Sequence, residues 1–312
     1  MRIVFFGSAS IGFPLLDALL ASSADEVVAV VTQPDRPVGR KLKLTACPVK
    51  EVALQKGLNV LCPEKVGSDE SLTSLKELKA DLFVVVAYGQ YIPPAVLDLP
   101  TNGSINLHPS LLPKYRGSSP IQWALANGDE VTGVTILYVS EKMDSGDIIL
   151  QREVPIRPED HAATLEPVLA QAGAELLMEA VEQIRSGTVK AQPQDEAAAT
   201  AVRKLAKEDG WLDWSLPASV LNNRIRAFIA WPGCFCEVPV RSGMQRLKVL
   251  EARVEPGNGE PGVILDASGE GPLVAVGDGA IRLLSVQPAG KNIMDGAAYL
   301  RGYPLEPGSR LG

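Results

Sequence analysis

Ala80-Asp81-Leu82-Phe83-Val84-Val85-Val86-Ala87-Tyr88-Gly89 is the stretch that sets the fold class. Leu82 to Tyr88 is the longest unbroken apolar run in the chain, seven residues with three adjacent valines. A half-exposed strand alternates apolar and polar residues. This run does not alternate, so it predicts a strand buried on both faces of a parallel sheet. Segments 3–6, 27–31 and 105–107 read the same way, and 14–21, 49–55 and 71–79 between them predict helices. The succession βαβαβαβ implies an α/β fold with an open, mostly parallel sheet of Rossmann type and right-handed crossovers. Ligands of such sheets bind beyond the carboxyl ends of the strands, where the strand order reverses.

Downstream, residues 163–185 predict a long helix, with Leu165, Leu169, Leu176, Ala180 and Ile184 mostly three or four apart. The polar stretch 186–196 reads as a linker or as an arm wrapping the next domain. Beyond it, 235–240, 246–252, 262–266, 273–276 and 281–286 predict five short strands between Gly and Pro turns. They suggest a small β-barrel or sandwich, an OB-like barrel among the options. The expected domains are 1–188, a linker at 189–206, and 207–312.

At 312 residues, 46% apolar and 21% charged, the chain has the material for two globular domains, and disorder over its bulk is excluded. No apolar run approaches the ~20 residues that span a bilayer, and the N-terminus enters a strand-like run without a signal-peptide core. Four cysteines in a chain this long do not make a disulfide framework, so the cytosol is the expected location. Against 37 Asp and Glu stand 30 Lys and Arg, a net charge of −7, which excludes a surface that coats nucleic acid throughout but allows a local basic patch. Residues 207–312 are nearly neutral, 11 Lys and Arg against 12 Asp and Glu, and Arg224, Arg226, Arg241, Arg246 and Lys248 cluster early in them.

Several chemistries drop out. The chain has no G-x-S-x-G, H-E-x-x-H or P-loop motif. Its two histidines, His108 and His161, cannot build a His-rich metal site, and the lone Cys234-x-Cys236 pair reads as packed side chains, so no metal is expected. Gly7 and Gly12 lack the spacing of a dinucleotide fingerprint and read as a tight turn. The informative segment is Asn106-Leu107-His108-Pro109-Ser110-Leu111-Leu112-Pro113-Lys114-Tyr115-Arg116-Gly117. Asn106 and His108, two apart on a strand, project to one side at its carboxyl end. Asp144, in the turn Asp144-Ser145-Gly146-Asp147 after the strand-like run 134–139, meets His108 if the two strands are neighbours. An Asn, a His and an Asp without an activated Ser or Cys suit direct acyl transfer, in which the substrate brings the nucleophile and the enzyme stabilises an oxyanion.

Asn106-x-His108 followed by Ser110-Leu111-Leu112-Pro113, with Asp144 in Asp-Ser-Gly-Asp, resembles the folate-dependent formyltransferase superfamily. Thr32-Gln33-Pro34-Asp35-Arg36-Pro37-Val38-Gly39-Arg40, Val84 to Gly89, and Leu284 to Lys291 narrow the resemblance to its methionyl-tRNA-formylating, bacterial branch, over essentially the whole chain. Gly117-Ser118-Ser119-Pro120 departs from it mildly, standing where Gly-Ala-Ala-Pro is more familiar.

The resemblance implies a formyltransferase-like fold and a monomer, with 10-formyltetrahydrofolate as donor and initiator methionyl-tRNA as acceptor. Asn106 would hydrogen-bond the formyl oxygen, His108 would supply a second donor and later a proton, and Asp144 would hold His108 and relay a proton. Ser110, Leu111, Leu112, Pro113, Tyr88 and Gly89 would line the folate site. In the loop 33–45, Arg36, Arg40, Lys41 and Lys43 stand against Asp35 alone, a local charge of +3. With Lys291 they are the expected tRNA contacts, Arg40 foremost. Trp211, Trp214 and Trp231 read either as core or as stacking platforms. The alternatives are transfer to another amine, hydrolysis of formylfolate, and a non-enzymatic RNA-binding module.

Overall fold

The computed structural model describes residues 1–39, 42–240 and 243–312. The chain forms two compact units, one of Met1–Gly117, Val131–Pro155 and Glu166–Val202, the other of Ser118–Glu130, Ile156–Leu165 and Arg203–Gly312. Its first elements are β1 (Arg2–Gly7), α1 (Phe13–Ala21), β2 (Glu26–Val31), β3 (Arg36–Val38), β4 (Lys43–Thr45), α2 (Pro48–Gln55), β5 (Val60–Leu61) and α3 (Asp69–Glu77). There follow β6 (Leu82–Val86), α4 (Pro94–Leu97), β7 (Ser104–His108) and β8 (Arg116–Gly117). After α5 (Pro120–Asn127), part of the second unit, come β9 (Val131–Tyr138), β10 (Ile148–Pro155), α6 (Ala162–Ser186) and β11 (Ala201–Val202).

Seven strands of the first unit form one sheet, in the order β10-β9-β7-β6-β1-β2-β5. Pairings from β7 to β5 are parallel, while β9 and β10 are added antiparallel. Ile3, Val4, Phe5, Phe6, Leu82, Phe83 and Val84 are all fully buried, as unbroken apolar runs between two covering layers require. The order reverses at β1, with β2 and β5 to one side and β6 and β7 to the other.

Three readings change. Helix α3 begins at Asp69 rather than Ser71 because the Ser68 hydroxyl accepts the Ser71 N–H and caps it, and it ends before Lys79, whose φ of 48° is left-handed. The segment expected as a loop at 33–45 contains the antiparallel hairpin β3–β4, in which Arg36 faces Thr45 and Val38 faces Lys43. The polar stretch after α6 binds the first unit itself. Gln192 pairs with Ile148, and β11 pairs with β8.

The second unit holds α5, α7 (Ala218–Ala227), β12 (Cys234–Val240), β13 (Gly243–Glu255), β14 (Ile264–Asp266), β15 (Leu273–Val276), β16 (Gly279–Pro288), β17 (Met294–Asp295) and α8 (Gly296–Gly302). Its antiparallel half-barrel runs β12-β13-β16-β15-β14, with β17 against β16, so each of the five expected strands is present. Register shifts between Val249 and Ala252 mark irregular pairing in the long β13. Cys234 and Cys236 are buried in β12, where burial pushes each thiol up to about 12. Trp214 is core, its indole N–H donating to the Gly312 carbonyl, whereas Trp211 and Trp231 are exposed. Among the described residues no helix is long and apolar enough to cross a membrane.

Candidate active site

Strand β7 lies where the sheet changes from parallel to antiparallel, between β6 and β9. In that register Asn106 stands between Val85 and Leu137, and His108 is opposite Thr135. Because β9 is the neighbour of β7, the loop leaving β9 returns Asp144 to the end of β7. Its Oδ2 lies 3.6 Å from His108 Nδ1.

His108 is 4% exposed, and its Nε2 is 2.9 Å from the Tyr115 carbonyl oxygen. A carbonyl only accepts, so Nε2 carries a proton and Nδ1 is turned toward the carboxylate. Both ring nitrogens are thus engaged by protein oxygens. Asp144 Oδ2 in turn accepts the Gly117 N–H at 2.8 Å. The Asp144 backbone is left-handed, with φ 52°, a conformation uncommon for a non-glycine residue though more open to Asp than to most. Gln194 braces it, its Nε2 donating to the carbonyls of Asp144 and Gly146 at 2.8 Å each. A Cβ on Gly146 would stand 1.8 Å from the Tyr138 carbonyl oxygen, so that turn accepts only glycine.

The wall after His108 is pinned from three directions. Thr135 Oγ1 donates to the Ser110 carbonyl at 2.7 Å and accepts the Leu112 N–H at 3.2 Å. Gln151 Nε2, on β10, donates to the Leu112 carbonyl and to Thr135 Oγ1 at 2.8 and 2.9 Å. Thr200 Oγ1 accepts the Tyr115 N–H at 2.8 Å, and the Thr200 carbonyl accepts the Arg116 N–H at 2.8 Å, which holds the peptide whose carbonyl faces His108.

A cleft of about 270 Å³ opens beside these groups, lined by Asn106 and Asp144 together with Val85, Gln90, Tyr91, Ile92, Leu137, Tyr138, Val139, Ser140, Glu141 and Met143. Burial raises the Tyr138 phenol above its ordinary range. The Asn106 side chain lines this cleft. The lining of the cleft is mostly apolar and includes the amides of Asn106 and Gln90 and the carboxylates of Asp144 and Glu141, equipment for holding a flat heterocycle beside a polarised carbonyl.

The expected site residues therefore divide. Asn106 and Asp144 line the cleft, with His108 buried behind Asp144. Tyr88 belongs to the core, its ring edge-on to Phe6, and Gly89 takes φ 85° beside Gln33. Ser110, Leu111, Leu112 and Pro113 do not line this cleft. Ser110 and Leu112 are buried, and Leu111 packs against Gly133. Arg36, on β3, stands 3.5 Å from Glu64, and Lys43 is exposed on β4. Arg40 and Lys41 lie outside the described residues. In the second unit Lys291 is exposed on the turn after β16, but Arg226 is turned inward to the Asp160 carbonyl and Asn223. Sequence reading missed Thr135, Gln151, Gln194 and Thr200. None of the four carries a local mark in the sequence.

Family comparison accounts for both units. The formyl transferase family matches residues 1–181, and the formyl transferase C-terminal domain matches residues 204–304. The methionyl-tRNA formyltransferase of Moorella thermoacetica is 44% identical, over 100% of this chain and 99% of that one. That of Desulfotalea psychrophila is also 44% identical, over 98% of this chain and 94% of its own. Among solved structures, the sugar 3N-formyl transferase WlaRD aligns with a TM-score of 0.66 at 19% identity, over 94% of this chain and 99% of that one. HypX from Aquifex aeolicus, in complex with tetrahydrofolic acid, aligns with a TM-score of 0.63 at 21% identity, over 100% of this chain and 50% of its own, and both likenesses concern the fold. At such identity over full length, the chain belongs to the methionyl-tRNA formyltransferase family.

Proposed function

We infer that the protein transfers the formyl group of 10-formyltetrahydrofolate to the α-amino group of methionine carried by initiator tRNA. The observation that carries the mechanism is the meeting of Asn106 and Asp144 at one cleft, with His108 3.6 Å from Asp144. A free α-amine has a pKa near 8 and esterification lowers it, so the acceptor arrives substantially neutral and able to attack. Attack on the formyl carbon gives a tetrahedral oxyanion. The Asn106 amide donates to that oxygen, and such a donor contributes about 10²–10³ in rate. Asp144 takes the proton that the amine sheds, and His108, protonated beside it, returns one toward the departing folate nitrogen. For His108 to donate to the formyl oxygen as well, a ring nitrogen must exchange its present acceptor for the substrate.

The cleft lined by Gln90, Tyr91 and Ile92 takes the folate heterocycle, with Ser110 to Pro113, Tyr88 and Gly89 as the frame behind it. Arg36, Arg40, Lys41, Lys43 and Lys291 contact the tRNA. In this reading 1–188 is the catalytic domain, 189–206 the connection and 207–312 the tRNA-binding domain of a cytosolic monomer. The test is one assay offering 10-formyltetrahydrofolate with charged initiator tRNA and glycinamide ribonucleotide as competing acceptors. Formylmethionyl-tRNA should be the dominant product. Preferential formylation of the ribonucleotide, or release of formate alone, refutes the assignment.

A further inference from the structure

We propose that Gln33 is a positioning residue for the donor. It ties the base of the hairpin β3–β4 to the loop that walls the cleft, so that RNA held at the hairpin tightens folate binding. The inference rests on the reading that the cleft takes the folate and that the hairpin meets the acceptor tRNA. Gln33 lies between β2 and β3. Its Nε2 donates to the Tyr88 carbonyl at 3.3 Å, and its backbone N–H donates to Ser8 Oγ at 3.1 Å. Ser8, directly after β1, donates that same hydroxyl to the Tyr88 carbonyl at 3.0 Å. One carbonyl thus gathers two donors, from beyond the carboxyl ends of β1 and β2.

That carbonyl sits where the backbone needs support. Ala87 and Gly89, on either side of Tyr88, are left-handed, with φ 46° and 85°, and alanine lacks the freedom of glycine there. An added Cβ on Gly89 would stand 3.1 Å from Gln33 Nε2, so the amide lies directly against the turn. The residues that follow, Gln90, Tyr91 and Ile92, line the cleft. Gln90 is gripped from the other side, its Oε1 accepting the Val66 N–H at 3.1 Å and its Nε2 donating to the Pro63 carbonyl at 2.9 Å. Within that segment Glu64 stands 3.5 Å from Arg36 of β3. The hairpin therefore reaches the cleft wall twice, through Gln33 at Tyr88 and through Glu64 toward Gln90. The Arg36–Glu64 pair is exposed on both sides and contributes little, so the amide of Gln33 carries the connection. RNA that fixes the hairpin thereby fixes the turn, and a folate that fixes the turn steadies the hairpin by the same factor.

The test titrates the full-length protein with 5-formyltetrahydrofolate, the stable isomer of the donor, by calorimetry, with and without saturating methionyl-tRNA. The unaltered protein should bind the folate about fivefold more tightly when the tRNA is present, at the low end of ordinary couplings. Gln33→Met keeps an unbranched side chain of similar length and cannot donate. Its ratio should fall to about one, with the folate alone bound within about twofold of the unaltered protein. In kinetics at saturating tRNA, the KM for 10-formyltetrahydrofolate should rise about fivefold at unchanged kcat. Ser8→Ala removes the other donor to the Tyr88 carbonyl and should lower the ratio in the same direction, which keeps the test open if Gln33→Met fails to fold. A merely structural side chain would weaken folate binding by one factor in both titrations. The proposal falls on that result, on a ratio unchanged in both variants, or on a ratio of one in the unaltered protein. Absence of folate binding in the unaltered protein would instead refute the proposed function, and the inference with it.

Discussion

Thr135→Val is the most direct probe of what holds the wall behind His108. Valine keeps the shape and the fully buried position of Thr135 but deletes the hydroxyl. That hydroxyl donates to the Ser110 carbonyl and accepts from Leu112 N–H and Gln151 Nε2. Gln151 retains the Leu112 carbonyl as acceptor, so two backbone groups are left without this partner, the Ser110 carbonyl and the Leu112 N–H. At about 1–3 kcal/mol for each buried polar group left unsatisfied, and with some relief from local shifts, the substitution should cost about 2–4 kcal/mol. The methyl replacing the oxygen creates no cavity, so packing loss adds little. Urea unfolding monitored by circular dichroism gives the number, provided the slope m stays constant. Steady-state kinetics should show lower turnover as well, since this wall carries the Tyr115 carbonyl that orients His108. A loss under about 0.5 kcal/mol with unchanged turnover would mean that the wall is held by its own backbone and that the three bonds at Thr135 are incidental.

Asp144→Asn should lower turnover by about 10²–10³ while tRNA affinity, measured by filter binding, stays within about twofold, because the loss falls on the transition state alone. Gly146→Ala places a Cβ 1.8 Å from the Tyr138 carbonyl oxygen, and thermal unfolding should register more than about 2 kcal/mol of destabilisation. The Asp25 side chain is fully covered. Burial alone would raise its pKa, but hydrogen bonds from Ser22, Arg185 and the N-terminal ammonium outweigh it and hold the carboxyl below its ordinary value of 3.8. This folded pKa is the lower one, so the stabilisation is present in full above the ordinary carboxylate range and is lost as pH falls through it. Urea midpoints should therefore drop below about pH 4, and Asp25→Asn, less stable at neutrality, should show a shallower acid-side decline.

What could be read from sequence was whatever a local period encodes. Unbroken apolar runs at 3–6 and 82–87 identified strands covered on both faces, and the two-residue period of a strand put Asn106 and His108 on one side. Strand β10 escaped because its apolar run Ile148–Leu150 is only three residues long and passes into the polar Gln151-Arg152-Glu153, as an antiparallel edge strand allows and the parallel centre does not. The prolines of 33–45 read as loop residues, yet Pro37 sits within a two-stranded hairpin and faces Leu44 there. Tyr88 is a lining residue only by the family resemblance. The chain turns directly after β6, with Ala87 at φ 46°, and the Tyr88 ring goes to the core while Tyr91 reaches the cleft.

Asp144 shows why the rest could not be read locally. Its distance from His108 depends on β9 choosing β7 as neighbour, and its left-handed backbone is secured by Gln194, fifty residues further on. Gln194 belongs to the arm after α6, which also pairs Ala201 with Arg116 and joins Thr200 to Tyr115. That arm thus braces the backbone beside both oxygens that face the ring of His108: the Thr200 carbonyl accepts the Arg116 N–H of the Tyr115–Arg116 peptide, and Gln194 donates to the backbone carbonyls of Asp144 and Gly146. A catalytic half ending at residue 188 keeps Asn106, His108 and Asp144 but loses the side chains that set two of their three approaches. The first compact unit accordingly includes 189–202, past the point where composition turns polar, because Gln194 and Thr200 of that stretch hydrogen-bond its backbone at Asp144, Gly146 and Tyr115.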